Sequence, residues 1–237
     1  MILQIRNLLK EYDGKPALRN VNLDLEGGNI VGLFGPNGSG KTTLIKILAN
    51  LLMRYSGNVL IDGIEPGVET KKFVSYLPDV NYLDNNWKVK ECINVFQKFY
   101  GDFDSEKAKR LLAQFQISLD SRIGTLSKGN REKTQLILVL SRNAKLFLFD
   151  EPIAGVDPAS REIIFDLIRE NIPVGSTVII TTHLIIDIEK IVDHVIFINQ
   201  GDVFLNKPKD ELEKEYDGKT INEIFIELFK QRMYGGM

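Results

Sequence analysis

A glycine-rich segment at residues 35–42 has the residue types and spacing of a phosphate-binding loop. It fits the pattern G-x-x-x-x-G-K-[ST] and lies between an apolar stretch that predicts a strand and a periodic stretch that predicts a helix. Glycines let backbone N–H groups curl around phosphate oxygens, and the N-terminus of a helix adds partial positive charge. The segment and its next neighbour, called the phosphate loop below, consist of Gly35, Pro36, Asn37, Gly38, Ser39, Gly40, Lys41, Thr42 and Thr43.

Two side chains of the phosphate loop predict that it binds a nucleotide together with magnesium. The Lys41 ammonium can neutralise the β- and γ-phosphates of a nucleoside triphosphate, and the Thr42 hydroxyl can ligate Mg²⁺. The alternative is a glycine-rich turn that contains a lysine by chance. The strand–loop–helix context favours the phosphate-binding interpretation.

Two adjacent acids, Asp150 and Glu151, follow a run of four apolar residues. A buried strand that ends there would bring Asp150 to the Mg²⁺ and its waters, and Glu151 to a position where it polarises the attacking water as a general base. Many strands end in an acidic residue, so the pair alone is a weak signal. Downstream of a phosphate loop in the same domain, it predicts nucleotide hydrolysis.

The elements that must position these residues alternate between strands and helices. Strands are predicted at residues 1–6, 30–34, 58–61, 72–77, 145–149 and 177–181, with a hairpin at 195–205. Helices are predicted at residues 42–52, 158–171, 184–192 and 221–231, and three successive helices at 88–100, 105–115 and 128–140. This pattern predicts an α/β fold that is interrupted at about residues 88–140 by an inserted helical subdomain.

The composition is that of an ordinary globular domain. The 237 residues are 43% hydrophobic, which is enough for a core, and the net charge of −2 shows no basic excess, so we expect no nucleic-acid partner. Cys92 is the only cysteine, which suits a reducing compartment. The sequence contains no signal peptide and no apolar run of about 18 residues, so we expect a cytoplasmic chain that is soluble when alone.

The segment Leu126-Ser127-Lys128-Gly129-Asn130, about twenty residues before the acidic pair, resembles the signature motif of ABC ATPases. The alternative is an ordinary helix start capped by Ser127. A capped helix N-terminus is nevertheless a second anion site in a chain that already has one. The resemblance implies that Ser127 and Gly129 bind the γ-phosphate of ATP held by a second subunit, so that two subunits, identical or different, sandwich ATP.

Other landmarks of this family occur in the expected order. Residues 151–158 resemble the D-loop region, which implies that Asp157 lies at the dimer interface. His183, after a predicted strand, resembles the switch histidine that senses the γ-phosphate, which would make it catalytic with Lys41 and Glu151; the alternative is a core histidine. Tyr12 resembles the aromatic residue that stacks on adenine, and the alternative is a surface tyrosine.

The resemblance covers about residues 1–205 and implies a fold. This fold is a P-loop NTPase core of the ABC ATPase type, with an N-terminal antiparallel β region and the inserted helical subdomain. We therefore expect one domain over residues 1–237, with a short helical C-terminal extension at about 207–237.

The sequence departs from the family pattern at three positions. Asp79 replaces the usual glutamine of one loop, but an Asp can still ligate Mg²⁺, so it stays a metal-ligand candidate with Thr42 and Asp150. Asn130 replaces the usual Gln of the signature motif, and Ile153 replaces a common Thr or Ser. Because these changes leave the phosphate-binding residues and Glu151 intact, we predict that ATP hydrolysis is retained.

Within the family, residues 126–133, residues 151–158 and the C-terminal extension are most similar to ATPase subunits of ABC-2-type exporters. This implies a subunit at the inner face of the cell membrane that drives a separate transmembrane permease chain, which carries most of the substrate selectivity. Tyr82, Leu83 and Trp87 either form a docking groove for that chain or cap the helical subdomain. The alternatives are a soluble ABC-type ATPase of protein or cofactor assembly and, less consistent with the motifs, a small-molecule kinase.

Overall fold

The computed structural model describes residues 1–234. Residues 235–237, the end of the predicted C-terminal extension, lie outside the described part. The strands are β1 (Leu3–Tyr12), β2 (Lys15–Leu25), β3 (Ile30–Phe34), β4 (Ser56–Ile61), β5 (Val74–Leu77), β6 (Leu146–Asp150), β7 (Thr177–Thr182), β8 (His194–Asn199) and β9 (Asp202–Pro208). The α-helices are α1 (Lys41–Leu48), α2 (Val89–Phe99), α3 (Ser105–Gln114), α4 (Lys128–Leu140), α5 (Pro158–Asn171), α6 (Ile185–Ile188), α7 (Lys209–Glu215) and α8 (Ile221–Tyr234).

The larger sheet has the strand order β5-β6-β7-β3-β8-β9. All its strands are parallel except β9, which forms the predicted hairpin with β8 and runs antiparallel to it. β6 is buried along its whole length, as expected for a parallel strand covered on both faces. The carboxyl ends of β3, β6 and β7 therefore lie side by side at one edge of the sheet.

The smaller sheet is antiparallel, with the order β2-β1-β4. Its apolar face, including Leu3, Ile5 and Leu8 of β1, packs with α1 and one face of the larger sheet into a single buried cluster. A tight turn at Asp13 and Gly14, both with positive φ, connects β1 to β2. Tyr12 is thereby held at the end of β1.

The other face of the larger sheet packs against helices other than α1. α2, α3 and α4 lie in the chain between β5 and β6, and α4 contributes its residues 136–140 to the second buried cluster. Four helices have a side-chain N-cap: Asp104 for α3, Ser127 for α4, Asp157 for α5 and Thr220 for α8. α8 packs its apolar side on the same cluster through Ile221 and Ile224.

One buried arginine joins the helical segment to the sheet. Arg142 is 3% exposed and forms a bidentate ion pair with Asp102, at 2.9 and 3.0 Å, in the turn between α2 and α3. The same guanidinium donates to the backbone oxygen of Val74 at the start of β5 (2.6 Å) and lies 4.0 Å from the centre of the Tyr100 ring. This arrangement ties residues 100–102 to the edge of the larger sheet.

Several predicted bounds are wrong. The first strand, predicted at residues 1–6, extends to Tyr12. The helix predicted at 42–52 ends at Leu48, because Asn50 adopts a positive φ of 53° and the amides of the next residues turn back to Lys46. The helix predicted at 184–192 is a single turn, because the chain has to enter β8 at His194. The strand predicted at 72–77 begins only at Val74, after a short 3₁₀ turn at Thr70–Lys72.

The helices predicted at 128–140 and 158–171 are confirmed with the predicted bounds. Among residues 1–234, no helix combines the length and the apolar character that crossing a membrane requires.

Candidate functional site

The candidate site lies where the carboxyl ends of β3, β6 and β7 meet, which is the usual ligand-binding edge of an open parallel sheet. The phosphate loop follows β3, Asp150 ends β6, and His183 follows β7. A cavity of about 400 Å³ at this edge is lined by Tyr12, Ala17, Asn37, Gly38, Ser39, Gly40, Lys41, Thr42, Thr43, Asp79 and Glu151. The fold thus brings together residues that are up to 139 positions apart in sequence, from Tyr12 to Glu151.

The path of the phosphate loop requires glycine at two positions. A Cβ atom on Gly35 would lie 2.2 Å from the backbone oxygen of Ile198, and one on Gly40 would lie 2.6 Å from that of Ala17. Gly40 also has a φ of 110°, in the region that favours glycine. In the described part of the chain, the buried Ser39 hydroxyl has no hydrogen-bond partner. The loop is therefore tightly packed from behind and holds an unsatisfied polar group.

Lys41 is folded into the phosphate loop. Its Nζ donates hydrogen bonds to the backbone oxygens of Gly35 (2.7 Å) and Pro36 (3.2 Å) and lies 3.8 Å from a carboxylate oxygen of Glu151. Burial lowers the pKa of Lys41, while the charges of Glu151 and Asp150 act in the opposite direction. The ammonium is thus enclosed by the loop and available to an anion that enters it.

Asp150 is fully buried and only half satisfied. Its Oδ1 accepts hydrogen bonds from the hydroxyls of Thr42 (3.0 Å) and Thr181 (2.8 Å), whereas its buried Oδ2 has no hydrogen-bond partner among the described residues. Burial raises the pKa of the Asp150 carboxyl. An unpaired buried carboxylate oxygen beside a threonine hydroxyl suits a hard cation that takes oxygen ligands.

Protein ligands alone do not complete a metal site here. Within residues 1–234, no group of three or more His, Cys, Asp or Glu side chains is arranged to hold a metal ion. Mg²⁺ commonly binds through one or two carboxylates together with substrate phosphates and water. Thr42, its neighbour Asp150 and Asp79, which lines the same cavity as Thr42, fit that kind of site.

Glu151 and His183 are in direct contact. The His183 Nδ1 lies 3.1 and 3.2 Å from the two carboxylate oxygens of Glu151. Glu151 has a positive φ of 50°, and its amide donates to the Thr181 backbone oxygen (3.1 Å) and hydroxyl (3.0 Å). The His183 side chain is 44% exposed, so it is not the core histidine of the alternative interpretation.

Tyr12 is a partly exposed residue at the rim of the cavity. It is 44% exposed, and Nζ of Lys10, two residues earlier on the same side of β1, lies 4.7 Å from the ring centre. Such a ring offers an apolar surface of the kind on which a base stacks.

Seven predicted site residues are not among those that line this cavity. Gly35, Pro36, Asp150 and His183 each contact a lining residue, and Ser127, Gly129 and Asp157 belong to two other segments. Ser127 and Gly129 lie at the N-terminus of α4, and Asp157 lies at that of α5. The Ser127 hydroxyl accepts from the amide of Asn130, and the Asp157 carboxylate accepts from that of Ser160. The two segments are neighbours, since Nζ of Lys128 donates to the Gly155 backbone oxygen at 3.3 Å. In a single subunit, these residues therefore stand apart from the phosphate loop.

Sequence reasoning missed the role of Thr181. Its hydroxyl contacts both members of the acidic pair, because the register of the sheet sets Asp150 directly opposite Thr181. The threonine at a strand end was visible in the sequence, but its partner was not.

Comparison with known proteins agrees with this geometry. A family model described as ABC transporter matches residues 18–154. The ABC transporter ATP-binding protein YtrB of Bacillus subtilis is 30% identical over 218 residues, which are 91% of this chain and 75% of YtrB. The Nod factor export ATP-binding protein I of Cupriavidus metallidurans is 29% identical over 234 residues, 94% of this chain and 77% of that protein.

A solved structure of an ATP-binding subunit of an ABC transporter superposes with a TM-score of 0.86 at 25% identity, covering 97% of this chain and 100% of that one. The predicted fold class and the predicted resemblance are thus confirmed. The chain belongs to the ABC transporter family, as an ATP-binding subunit that binds and hydrolyses ATP.

Proposed function

We propose that this chain is the ATPase subunit of a membrane exporter, in which two subunits close around two ATP molecules and drive a separate transmembrane chain. The observation that carries the proposal is the convergence of Lys41, Asp150, Glu151 and His183 beside the phosphate loop. Export as the direction of transport is supported by the similarity to the Nod factor export protein.

The residues of the cavity account for the chemistry of hydrolysis. When ATP enters, the Lys41 ammonium exchanges the backbone oxygens of Gly35 and Pro36 for phosphate oxygens. The Glu151 carboxylate takes a proton from a water molecule while the oxygen of that water bonds to the γ-phosphorus. The bond between the γ-phosphorus and the bridging oxygen of the β-phosphate breaks, and ADP leaves. His183 holds that carboxylate in place and senses the γ-phosphate.

Mg²⁺ is the metal that fits this site. We propose that Oδ2 of Asp150, the Thr42 hydroxyl and Asp79 hold the ion, directly or through its waters. When bound, Mg²⁺ neutralises charge that develops on the phosphates.

The second subunit would complete the site. Ser127 and Gly129 stand at a capped helix N-terminus outside the cavity of their own subunit, a position suited to an anion presented by another chain. Asp157 lies on the adjoining segment, next to the start of α4, and we assign it to the interface between subunits.

A groove beside the helical segment is the docking surface we propose for the transmembrane chain. This docking groove has a volume of about 470 Å³, and its lining includes Leu51, Asp79, Val80, Tyr82, Phe96 and Tyr100. Leu51 and Val80 are 53% and 62% exposed, an apolar surface that suits a helix of a partner. Of the predicted docking residues, Tyr82 lines the groove, but Leu83 is buried in the core and Trp87 is not among the lining residues.

Asp79 supports a connection between docking and hydrolysis. It lines both the docking groove and the cavity that holds the phosphate loop. Movement of a partner in the groove would therefore displace a metal-ligand candidate of the ATP site.

The test uses Glu151→Gln, which should bind ATP without cleaving it, as bait with Mg-ATP in mildly solubilised membranes of the source organism. We expect mass spectrometry to identify a protein with several membrane spans. The same bait carrying Val80→Asp in the docking groove should capture much less of that protein. Capture of soluble proteins only, by a bait that is itself dimeric, would instead indicate a soluble assembly ATPase.

A further inference from the structure

The side chain of Arg161, in the first turn of α5, bridges two segments of the site. Its Nε donates to the backbone oxygen of Val156 at 2.9 Å, and its Nη1 forms an ion pair with Asp187 at 2.6 Å. Both charged side chains are largely buried, with exposed fractions of 21% and 30%. Ion pairs of this geometry and burial hold position better than exposed ones.

The two ends of this bridge belong to different parts of the machinery. Val156 immediately precedes Asp157, the residue that we assign to the interface with the second subunit. Asp187 lies in α6, four residues after His183, whose ring contacts the Glu151 carboxylate. One guanidinium therefore sets the distance between the interface segment, residues 153–157, and the histidine segment, residues 183–188.

The connection is stiff at both ends. The amide of Arg161 donates to the Asp157 backbone oxygen (3.1 Å), so the first turn of α5 moves with the interface segment. On the other side, the amide of Leu184 donates to the Thr182 hydroxyl (3.0 Å), which ties α6 to the end of β7. A planar guanidinium that uses two of its nitrogens at once cannot rotate without breaking one bond.

We propose that Arg161 is a positioning residue that transmits the approach of the second subunit from the interface segment to the histidine segment. A displacement of Val156 would be passed to Asp187 and from there to His183 and its contact with Glu151. The ATP site of one subunit would in this way respond to the interface. The proposal rests on the dimer of the proposed function.

A neighbouring ion pair provides a matched control. Glu162, the next residue of α5, pairs with Lys190 at 3.4 Å, so it joins the same two parts of the chain. This pair is exposed, at 62% and 71%, and its hydrogen bond does not involve Val156. The test variants are Arg161→Lys, whose single nitrogen cannot make both bonds, and Asp187→Asn, which removes the charge but keeps the shape; the control is Glu162→Gln.

Steady-state ATP hydrolysis by the full chain is the first measurement. For both test variants we expect kcat to fall roughly tenfold, because misplaced groups slow the chemistry. The ATP concentration that gives half the maximal rate should change by no more than about twofold, because the phosphate loop still binds ATP. Glu162→Gln should behave like the parent chain. A general loss of folding would lower binding as well as kcat, so the split between the two distinguishes positioning from mere stability.

Amide hydrogen exchange is the second measurement, made in the Glu151→Gln background. With Mg-ATP, exchange should slow in both segments, 153–157 and 183–188. With Asp187→Asn added, only the interface segment should slow, whereas with Glu162→Gln both should. Slowing of both segments in the Asp187→Asn variant, together with an unchanged kcat, would overturn the proposal.

If the proposed function is wrong, the same experiments give a different result. If the Glu151→Gln parent forms no dimer with Mg-ATP, the dimer itself is contradicted. Exchange without nucleotide then still tests the link, because Asp187→Asn, but not Glu162→Gln, should speed exchange in residues 153–157. Equal exchange in those two variants would show that Arg161 does not hold the interface segment.

Discussion

Thr181 shows how much of the site depends on one hydroxyl group. It donates to Asp150 Oδ1 and accepts from the amide of Glu151, so the metal-ligand candidate and the proposed general base share a single support. Without this hydroxyl, Asp150 would keep only one of its two hydrogen-bond donors. Glu151, which leaves the strand with a positive φ, would lose one of the two acceptors of its amide. Groups that orient metal ligands in this way commonly change metal affinity when they are removed.

The variant Thr181→Val tests this support. Because the bond to Asp150 is buried and the bond from Glu151 is partly buried, we expect it to lower the free energy of unfolding by about 1–2 kcal/mol. Loss of the support of Asp150 should also weaken Mg²⁺-dependent ATP binding roughly tenfold. Urea unfolding and ATP titration at varied Mg²⁺ measure the two effects.

A control exists on the same strand. Thr177 is equally buried, and its hydroxyl accepts from the amide of Gly28 at 2.9 Å, at the other end of β7. Thr177→Val should cost similar stability without changing the Mg²⁺ dependence. An equal loss of Mg²⁺-dependent binding in both variants would contradict the role of Thr181.

Among single residues, the sequence predicts those that belong to a motif and misses those that the topology of the fold brings together. Lys41 and Asp150 are identified by their fixed neighbours along the chain. Thr181 and Arg161 act through partners that are 26 to 31 positions away, at Asp187 and Asp150. Their roles depend on sheet register and helix packing, which no local pattern encodes.

Side-chain caps at helix starts are the clearest case in which an element has both a structural and a functional role. Asp104 accepts from the amide of Lys107 at 2.9 Å, and Ser127 accepts from that of Asn130 at 3.2 Å. Both caps begin helices of the segment between β5 and β6. Only the Ser127 end is proposed to meet the ATP of a second subunit.

The cap variants Ser127→Ala and Asp104→Ala should therefore differ in their effect on ATP hydrolysis. We expect each to lower the free energy of unfolding by about 1 kcal/mol, because each leaves an amide of the first turn without its acceptor. Only Ser127→Ala should also slow ATP hydrolysis, by at least about tenfold, through loss of a contact to the γ-phosphate. Chemical unfolding and steady-state kinetics provide the comparison, and equal hydrolysis by both variants would remove Ser127 from the site.

Elements were predictable where their ends carry a local signal. α4 and α5 have the predicted bounds because a capping residue or a proline sets their start. The helix predicted at 184–192 has an apolar pattern, yet it is a single turn, since the strand that follows must reach the sheet. Tertiary demands of that kind override periodicity.

The whole molecule has two buried clusters, one on each face of the larger sheet. Arg142 connects the helical segment with the sheet edge through Asp102 and Val74, and the buried Ser75 hydroxyl of β5 adds a bond to the Val139 backbone oxygen of α4. Trp87, the only tryptophan, lies just before α2 and so reports on the helical segment. These features make the coupling between the two parts measurable.

We predict that Arg142→Met separates the unfolding of the two parts. The change leaves Asp102 without its partner and should cost about 3–5 kcal/mol, as is typical for a broken buried ion pair. In the parent chain, thermal unfolding followed by Trp87 fluorescence and by far-UV circular dichroism should coincide. In the variant, the fluorescence transition should come at a lower temperature.

The exposed pair Lys145–Asp62, with exposed fractions of 61% and 40%, provides the comparison. Lys145→Met should cost no more than about 1 kcal/mol and leave the two transitions together. Coincident transitions in Arg142→Met would mean that the bonds of Arg142 are not needed to unite the two parts.

The place of β3 in the sheet affects how the chain is made on the ribosome. β3 is finished at residue 34, but its neighbours β7 and β8 end only at residues 182 and 199. The strands of the antiparallel sheet, in contrast, have all been synthesised by residue 61. From residue 35 until β7 has been synthesised, the nascent chain therefore carries its phosphate loop on a strand with two open edges. An ATP site that needs the carboxyl ends of β3, β6 and β7 together cannot assist the early steps of folding. One edge of β3 stays open to pairing with other chains until β8 emerges.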